Sequence, residues 1–146
     1  MQNLLSVPQG QFQLQRLPFR AQDTLRAWDA ADEYLLNYVA EQDILDQNSR
    51  VLILNDSFGA LACGLSGCQI TAISDSWLSH QATRTNFKLN HLDPNKLNLL
   101  DSLSLPATQF DCLLIKVPKT LALLEYQLHQ LKPCLHPATV IIAAGM

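Results

Sequence analysis

Two lysines, Lys116 and Lys119, flank Val117 and Pro118 at the end of the apolar run FDCLLIK, residues 110–116. An ammonium is costly inside a core, so the pair marks where this run leaves the interior. There the lysines either hold phosphates of an RNA or a cofactor, or stand in water with Lys119 simply lying ahead of the next helix. Asp75 and Asp101 also finish apolar runs. Carboxylates at such points accept hydrogen bonds from ribose hydroxyls or an adenine amino group; equally, they cap the helices that follow, as Asp56 and Ser57 can. The turn NDSFG, residues 55–59, has Gly59 as its one glycine. A phosphate cradle needs several, because backbone amides must approach the ligand with no Cβ in the way. Gly59 therefore reads first as a tight helix entry.

Other chemistries find no spacing to support them. No Gly-x-Ser-x-Gly elbow is present, so nucleophilic catalysis has no signature. His80, His91, His129 and His136 show no metal-ligand spacing. Cys63, Cys68, Cys112 and Cys134 lie in apolar context without a C-x-x-C pair, which fits buried reduced thiols rather than disulfides or zinc.

These residues need elements to position them. QFQLQRLPF, residues 11–19, suits a short peripheral strand. From Asp23 the period changes: Leu25, Trp28, Ala31, Leu35, Tyr38 and Val39 fall on one helical face, with Asp23 or Thr24 as cap. Residues 50–56, 68–74, a stretch around 97–100, 110–117 and 138–145 read as five strands. Helices are expected through ALACGL, over 76–90 and over 120–132. Strands alternating with helices predict βαβ units and a mostly parallel sheet with helices on both faces. Such sheets bind ligands at the carboxyl ends of their strands, which is where Asn55, Ser57, Gly59, Ser74, Asp75, Asp101, Lys116 and Lys119 fall.

At 146 residues the chain suits a single domain over its whole length. The formal charge is −3, with −4 in residues 1–49 and +1 in the remainder, so any nucleic-acid contact must come from a local patch. Arg84 and Lys88 on the predicted helix over 76–90 form a second candidate patch beside the two lysines. No apolar run reaches membrane-spanning length and no leader pattern opens the chain, which predicts a cytoplasmic protein with no membrane partner.

The strand ends resemble the landmarks of the S-adenosylmethionine-dependent methyltransferase fold with most ligand groups replaced. The family's first motif, roughly V-L-D-L-G-C-G-x-G-x-L, becomes VLILNDSFGAL at 51–61: Ile53 replaces the acid, Asn55 and Ser57 replace two glycines, and Gly59 survives. In the second motif, Asn86, Asn90 and Leu92 fall in register, but Ser74 stands where the ribose-binding acid belongs, with Asp75 one place late. Asp101 occupies the position of the adenine-side acid. The fourth motif, F-D-L-I-x-x-N-P-P-[FY] in enzymes that methylate exocyclic amines of bases, keeps Phe110, Asp111 and Pro118. Lys116 replaces its Asn and Lys119 its aromatic residue, so the side chains that hold a flipped base are gone.

RAWDAADEYLL (26–36), VLILNDSFGAL (51–61), ATRTNFKLN (82–90) and LIKVPKTLALLE (114–125) are similar to the amino-terminal half of the two-domain ribosomal RNA guanine-N2 methyltransferases, specifically the large-subunit (23S) branch. The resemblance implies a Rossmann-like fold. In the whole enzyme it implies S-adenosylmethionine as methyl donor, 23S rRNA as partner and a carboxy-terminal catalytic domain. This chain would be a degenerate domain with no cofactor of its own and no catalytic residue, stopping after strand five where the fold normally adds two more strands. Lys116, Lys119, Arg84 and Lys88 would be its nucleic-acid contacts. Two other readings stay open: a nucleotide- or S-adenosylmethionine-binding domain using Asp75 and Asp101, and a purely structural or dimerisation domain.

Overall fold

Residues 51–54 and 112–115 contain no polar side chain other than the Cys112 thiol, so as strands they must be covered on both faces. A computed structural model, which describes residues 3–18, 25–106 and 108–145, places both at the centre of a five-stranded sheet. The elements in chain order are β1 (Leu4–Val7), β2 (Gly10–Gln13), α1 (Ala30–Gln42), β3 (Arg50–Leu54), α2 (Ala60–Gly64), β4 (Gln69–Ile73), α3 (Trp77–Leu89), β5 (Leu97–Leu100), β6 (Cys112–Lys116), α4 (Leu121–Leu131) and β7 (Val140–Ala144). The sheet order is β5-β4-β3-β6-β7, every pair parallel, with Val51 opposite Ile70 on one side and Cys112 on the other. The chain reverses its direction of travel across the sheet between β3 and β6, the point where doubly wound folds open a crevice.

Strand alternation divides the core in two. Val51, Ile53, Ile70, Ala72, Cys112, Leu114 and Ile142 meet α1, α2, Phe87 of α3 and the β1–β2 hairpin. Leu52, Leu54, Ile73, Leu113 and Ile115 meet Leu131 and Cys134 on the other face, with Leu124 and Leu128 of α4 alongside. All four cysteines are free and buried, and burial raises the thiol pKa at each of them.

Two local expectations differ from the structure. The strand expected over 11–19 is only the second arm of an antiparallel hairpin, since Gly10 at φ +145° lets the chain turn back on Leu4–Val7. The first helix starts at Ala30 rather than near Asp23, which, with Thr24, lies outside the described residues. Asp29 and Asp32 set this start through a reciprocal capping box: each side chain accepts the other's backbone N–H, at 3.1 and 3.0 Å. Leu25 consequently lies outside the helix and is exposed.

Candidate functional site

The carboxyl ends of β3 and β6 lie side by side, and α1 starts above them. Lys116, the last residue of β6, turns its ammonium toward that start, 3.1 Å from both Asp29 Oδ2 and Asp32 Oδ2. Its side chain is 12% exposed and that of Asp32 only 2%. Asp56, from the turn after β3, is buried nearby; its Oδ2 accepts the Ala62 N–H at 3.1 Å. Two carboxylates thus share one ammonium, whose charge also reaches Asp56, and Asp32 Oδ1 and Asp56 Oδ1 have no hydrogen-bond partner.

Burial and charge set the protonation of this cluster. Burial, reinforced by the Asp56 charge, pushes the Asp32 carboxyl up to about 7. Burial likewise raises Asp56. Burial alone would raise Asp29 too, but the Asp32 N–H and the Lys116 charge outweigh it and hold Asp29 below its ordinary value. For Lys116, burial opposes the charge and the carboxylates of Asp32 and Asp29 more than offset it, so its pKa is raised. The phosphate-holding role expected of Lys116 therefore meets an ammonium already engaged by carboxylates and largely withdrawn from water. The sequence reading missed Asp29, Asp32 and Asp56 as its partners. Their signal was faint: the acids of DAADE at 29–33 look like the solvent side of an amphipathic helix, yet Asp32 falls among the buried residues Ala31, Leu35 and Leu36.

The positions matching cofactor-binding motifs are held from inside the protein. Asn55 adopts a left-handed conformation at φ 69°. Its amide donates to the Lys116 carbonyl at 3.0 Å and pairs both ways with the Gln127 side chain, at 3.1 and 3.0 Å. Gly59, at φ +90°, caps α2, and a Cβ there would lie 2.9 Å from Thr83 Cα. The surviving glycine is therefore required by close approach to α3, with no ligand needed to explain it. Ser74 Oγ accepts the Ser76 N–H, and Asp75 accepts both the N–H and the Oγ–H of Ser102 at 2.8 Å. These bonds hold Asp75 below the ordinary carboxylate range. Asp101 closes a local turn by accepting the Leu103 N–H, and Ser57 is exposed.

A cavity of about 210 Å³ opens among Asn55, Ser74, Asp75, Ser102, Tyr126 and Gln127, smaller than the roughly 300 Å³ at which small-molecule sites begin. S-adenosylmethionine, implied by the resemblance, does not fit these residues: the polar groups that would meet it are bonded to one another. A larger cleft, of about 560 Å³, lies toward the amino-terminal ends of β3 and β4, near Gln9, Val39, Leu65 and Cys68, away from the carboxyl ends of the strands.

The remaining candidate cations face water. Arg84 and Lys88 are exposed on α3, Lys119 is exposed ahead of α4, and none of them pairs with a described carboxylate. Because α3 packs against one face of the sheet and α4 against the other, the three do not form one patch. Asn86 and Asn90, whose spacing matched a motif, have another use. Asn86 accepts the Gln15 N–H at 2.9 Å and donates to the Gln15 and Phe58 carbonyls, while Asn90 accepts the Gln13 N–H at 2.8 Å and donates to the Gln13 carbonyl. The two amides bind the hairpin segment to α3. Among the described residues no helix is long and apolar enough to cross a membrane, and no group of His, Cys, Asp and Glu could hold a metal ion.

Solved structures share this architecture. A Thermus thermophilus 16S rRNA N2 G1207 methyltransferase (RsmC), in complex with AdoMet and guanosine, superposes with a TM-score of 0.75 at 17% identity over 96% of this chain and 40% of its own. A coclaurine N-methyltransferase does so with a TM-score of 0.61 at 18% identity, over 88% of this chain and 39% of its own. At these identities the likeness shows a Rossmann-like methyltransferase fold. Relatives named ribosomal RNA large subunit methyltransferase G are closer in sequence. That of Erwinia tasmaniensis is 55% identical over 134 residues, covering 90% of this chain and 35% of the relative; that of Streptomyces griseus is 42% identical over 146 residues, covering 99% and 38%. The chain thus spans little more than a third of the length of these relatives. The family model described as the RLMG N-terminal domain matches residues 2–146, and the chain belongs to that family.

Proposed function

We propose that this chain is the non-catalytic amino-terminal domain of a cytoplasmic 23S rRNA guanine-N2 methyltransferase. In the whole enzyme S-adenosylmethionine is the methyl donor, and a carboxy-terminal domain carries the cofactor and the chemistry. The amino-terminal domain supports that half and engages the RNA. One observation carries the reading: at the strand ends where this fold binds its cofactor, Asn55 is bonded to Gln127, Asp75 to Ser102, and Lys116 to Asp29 and Asp32. Phosphate contact then falls to the exposed cations, Arg84 and Lys88 on α3 and Lys119 before α4, with Lys116 acting as an internal counter-ion. Calorimetric titration of the chain with S-adenosylmethionine should give no binding heat. Saturable binding at micromolar concentration would overturn the proposal.

A further inference from the structure

Helix α3 differs from the rest of a chain whose net charge is −3: it contains Arg84 and Lys88 and no Asp or Glu. At 3.6 residues per turn, Trp77, Gln81, Arg84 and Lys88 fall within about 60° of arc, on a line about 16 Å long. This line faces away from the core, since Ala82, Thr83, Asn86 and Phe87 take the buried side. Trp77 is 71% exposed. The other tryptophan, Trp28, is buried and donates its indole N–H to Glu33 at 2.8 Å. A single exposed aromatic residue is ordinary. Here it shares one stripe with two cations that pair with no described carboxylate.

We propose that this face of α3 binds single-stranded RNA, with Trp77 stacking on an unpaired base and Arg84 and Lys88 holding the phosphates next to it. The inference rests on the reading of the domain as an RNA-engaging one and names the residues and the kind of RNA. The stripe has a direction. Asp75 stands just before Trp77, bonded to Ser102, and repels phosphate at that end. The uncharged ring takes the base there, and the backbone runs toward Lys88. Every base offers a π face, so stacking tolerates sequence. A duplex hides those faces, so the site discriminates against paired RNA.

The test is titration of the chain with single-stranded oligouridine and with an A·U duplex of equal length, following tryptophan emission and the salt dependence of affinity. Emission from Trp77 should be quenched by the single strand, with Trp77→Phe supplying the Trp28 background. Trp77→Ala should weaken single-strand binding about tenfold at unchanged salt slope and unchanged melting temperature. Arg84→Ala and Lys88→Ala should each lower the slope by about 0.7. If Trp77→Ala binds like the parent while the two cation variants lose slope, stacking is overturned and RNA engagement stands. Equal affinity for the duplex overturns the single-strand preference. No binding of either RNA overturns both readings. Self-association in sedimentation that Trp77→Ala abolishes would assign the face to a second copy of the chain instead.

Discussion

Replacing Lys116 with Met tests whether its ammonium holds the carboxylate cluster together. The substitution keeps most of the side-chain volume and removes the ammonium that, among the described residues, pairs with Asp29 and Asp32 and acts by its charge on Asp56. Asp29 is partly exposed and can turn to water, but Asp32 cannot, with 2% of its side chain exposed. Breaking a buried pair by removing one partner costs about 3–5 kcal/mol, because the remaining charge is left uncompensated. With unfolding entropy of about 2.1 cal/mol/K per residue, that full cost would lower the melting temperature of a chain of this size by about 10–15 °C; near pH 7 Asp32 can hold a proton instead, so the loss should be smaller there and grow toward pH 8.5. Adding Asp32→Asn should recover much of the loss, since it removes the stranded charge.

The same cluster fixes a sign for the pH dependence. Folded Asp32 keeps its proton up to about pH 7, whereas the unfolded chain releases it in the ordinary carboxylate range, about 3.9. The folded state therefore binds more protons between about pH 4 and 7, and stability falls as pH rises through that window by up to about 1.4 kcal/mol per unit. Without Lys116 only the Asp29 N–H still favours the ionised form, so Asp32 should hold its proton to higher pH and the decline should continue above pH 7. Asp29 works the other way: its lowered value contributes stability above the carboxylate range that is lost as pH falls through its folded pKa. Lys116 contributes fully below 10.5, and its share is lost as pH rises through its raised folded value. Urea melts at pH 5, 7 and 8.5 on parent, Lys116→Met and the double variant read all of this. An unchanged midpoint for Lys116→Met at all three values would refute the counter-ion role, and a loss of RNA binding in that same stable variant would restore Lys116 as a phosphate ligand.

Gly59→Ala should destabilise the chain by more than about 1 kcal/mol, because φ is +90° and the new Cβ would press on Thr83 Cα; the urea midpoint measures it, and a neutral result would remove the packing explanation for this glycine. Asn86→Ala should cost about 2–4 kcal/mol, since it strands the Gln15 N–H and C=O and leaves the Phe58 carbonyl unpaired. Hydrogen exchange at Gln15 should rise before global unfolding, and retained protection there would count against the amide brace.

The sheet was legible because burial on both faces writes itself as unbroken apolar runs, and VLIL and CLLI have no other simple reading. The first hairpin was not, because four-residue strands around one glycine carry too little periodicity to separate from coil. Motif matching located the strand ends, but position alone did not reveal what each side chain does there. Lys116 is the instructive case. Its place at the end of β6 was right, yet its partners come from 60 and more residues away in the sequence, at Asp56, Asp32 and Asp29, and no local pattern announces such a meeting. Arg84 and Lys88 were candidates from their charge on a predicted helix, whereas Trp77 gave no signal in the sequence, because its exposure follows only from which side of α3 is buried.

The asparagine brace also bears on how this domain avoids sticking to its own kind. A side-chain amide presents one acceptor and one donor at nearly the spacing of a peptide group, so Asn90 opposite Gln13 and Asn86 opposite Gln15 stand where residues of a third strand would. A short, exposed hairpin edge is a template on which another chain can add a strand. With those backbone groups already taken by a helix, the edge is closed at Gln13 and Gln15 to pairing with a neighbouring molecule. Freeing it by Asn86→Ala and Asn90→Ala together would expose a sticky edge in a protein that is still folded, and aggregation rather than unfolding would then limit its lifetime in solution.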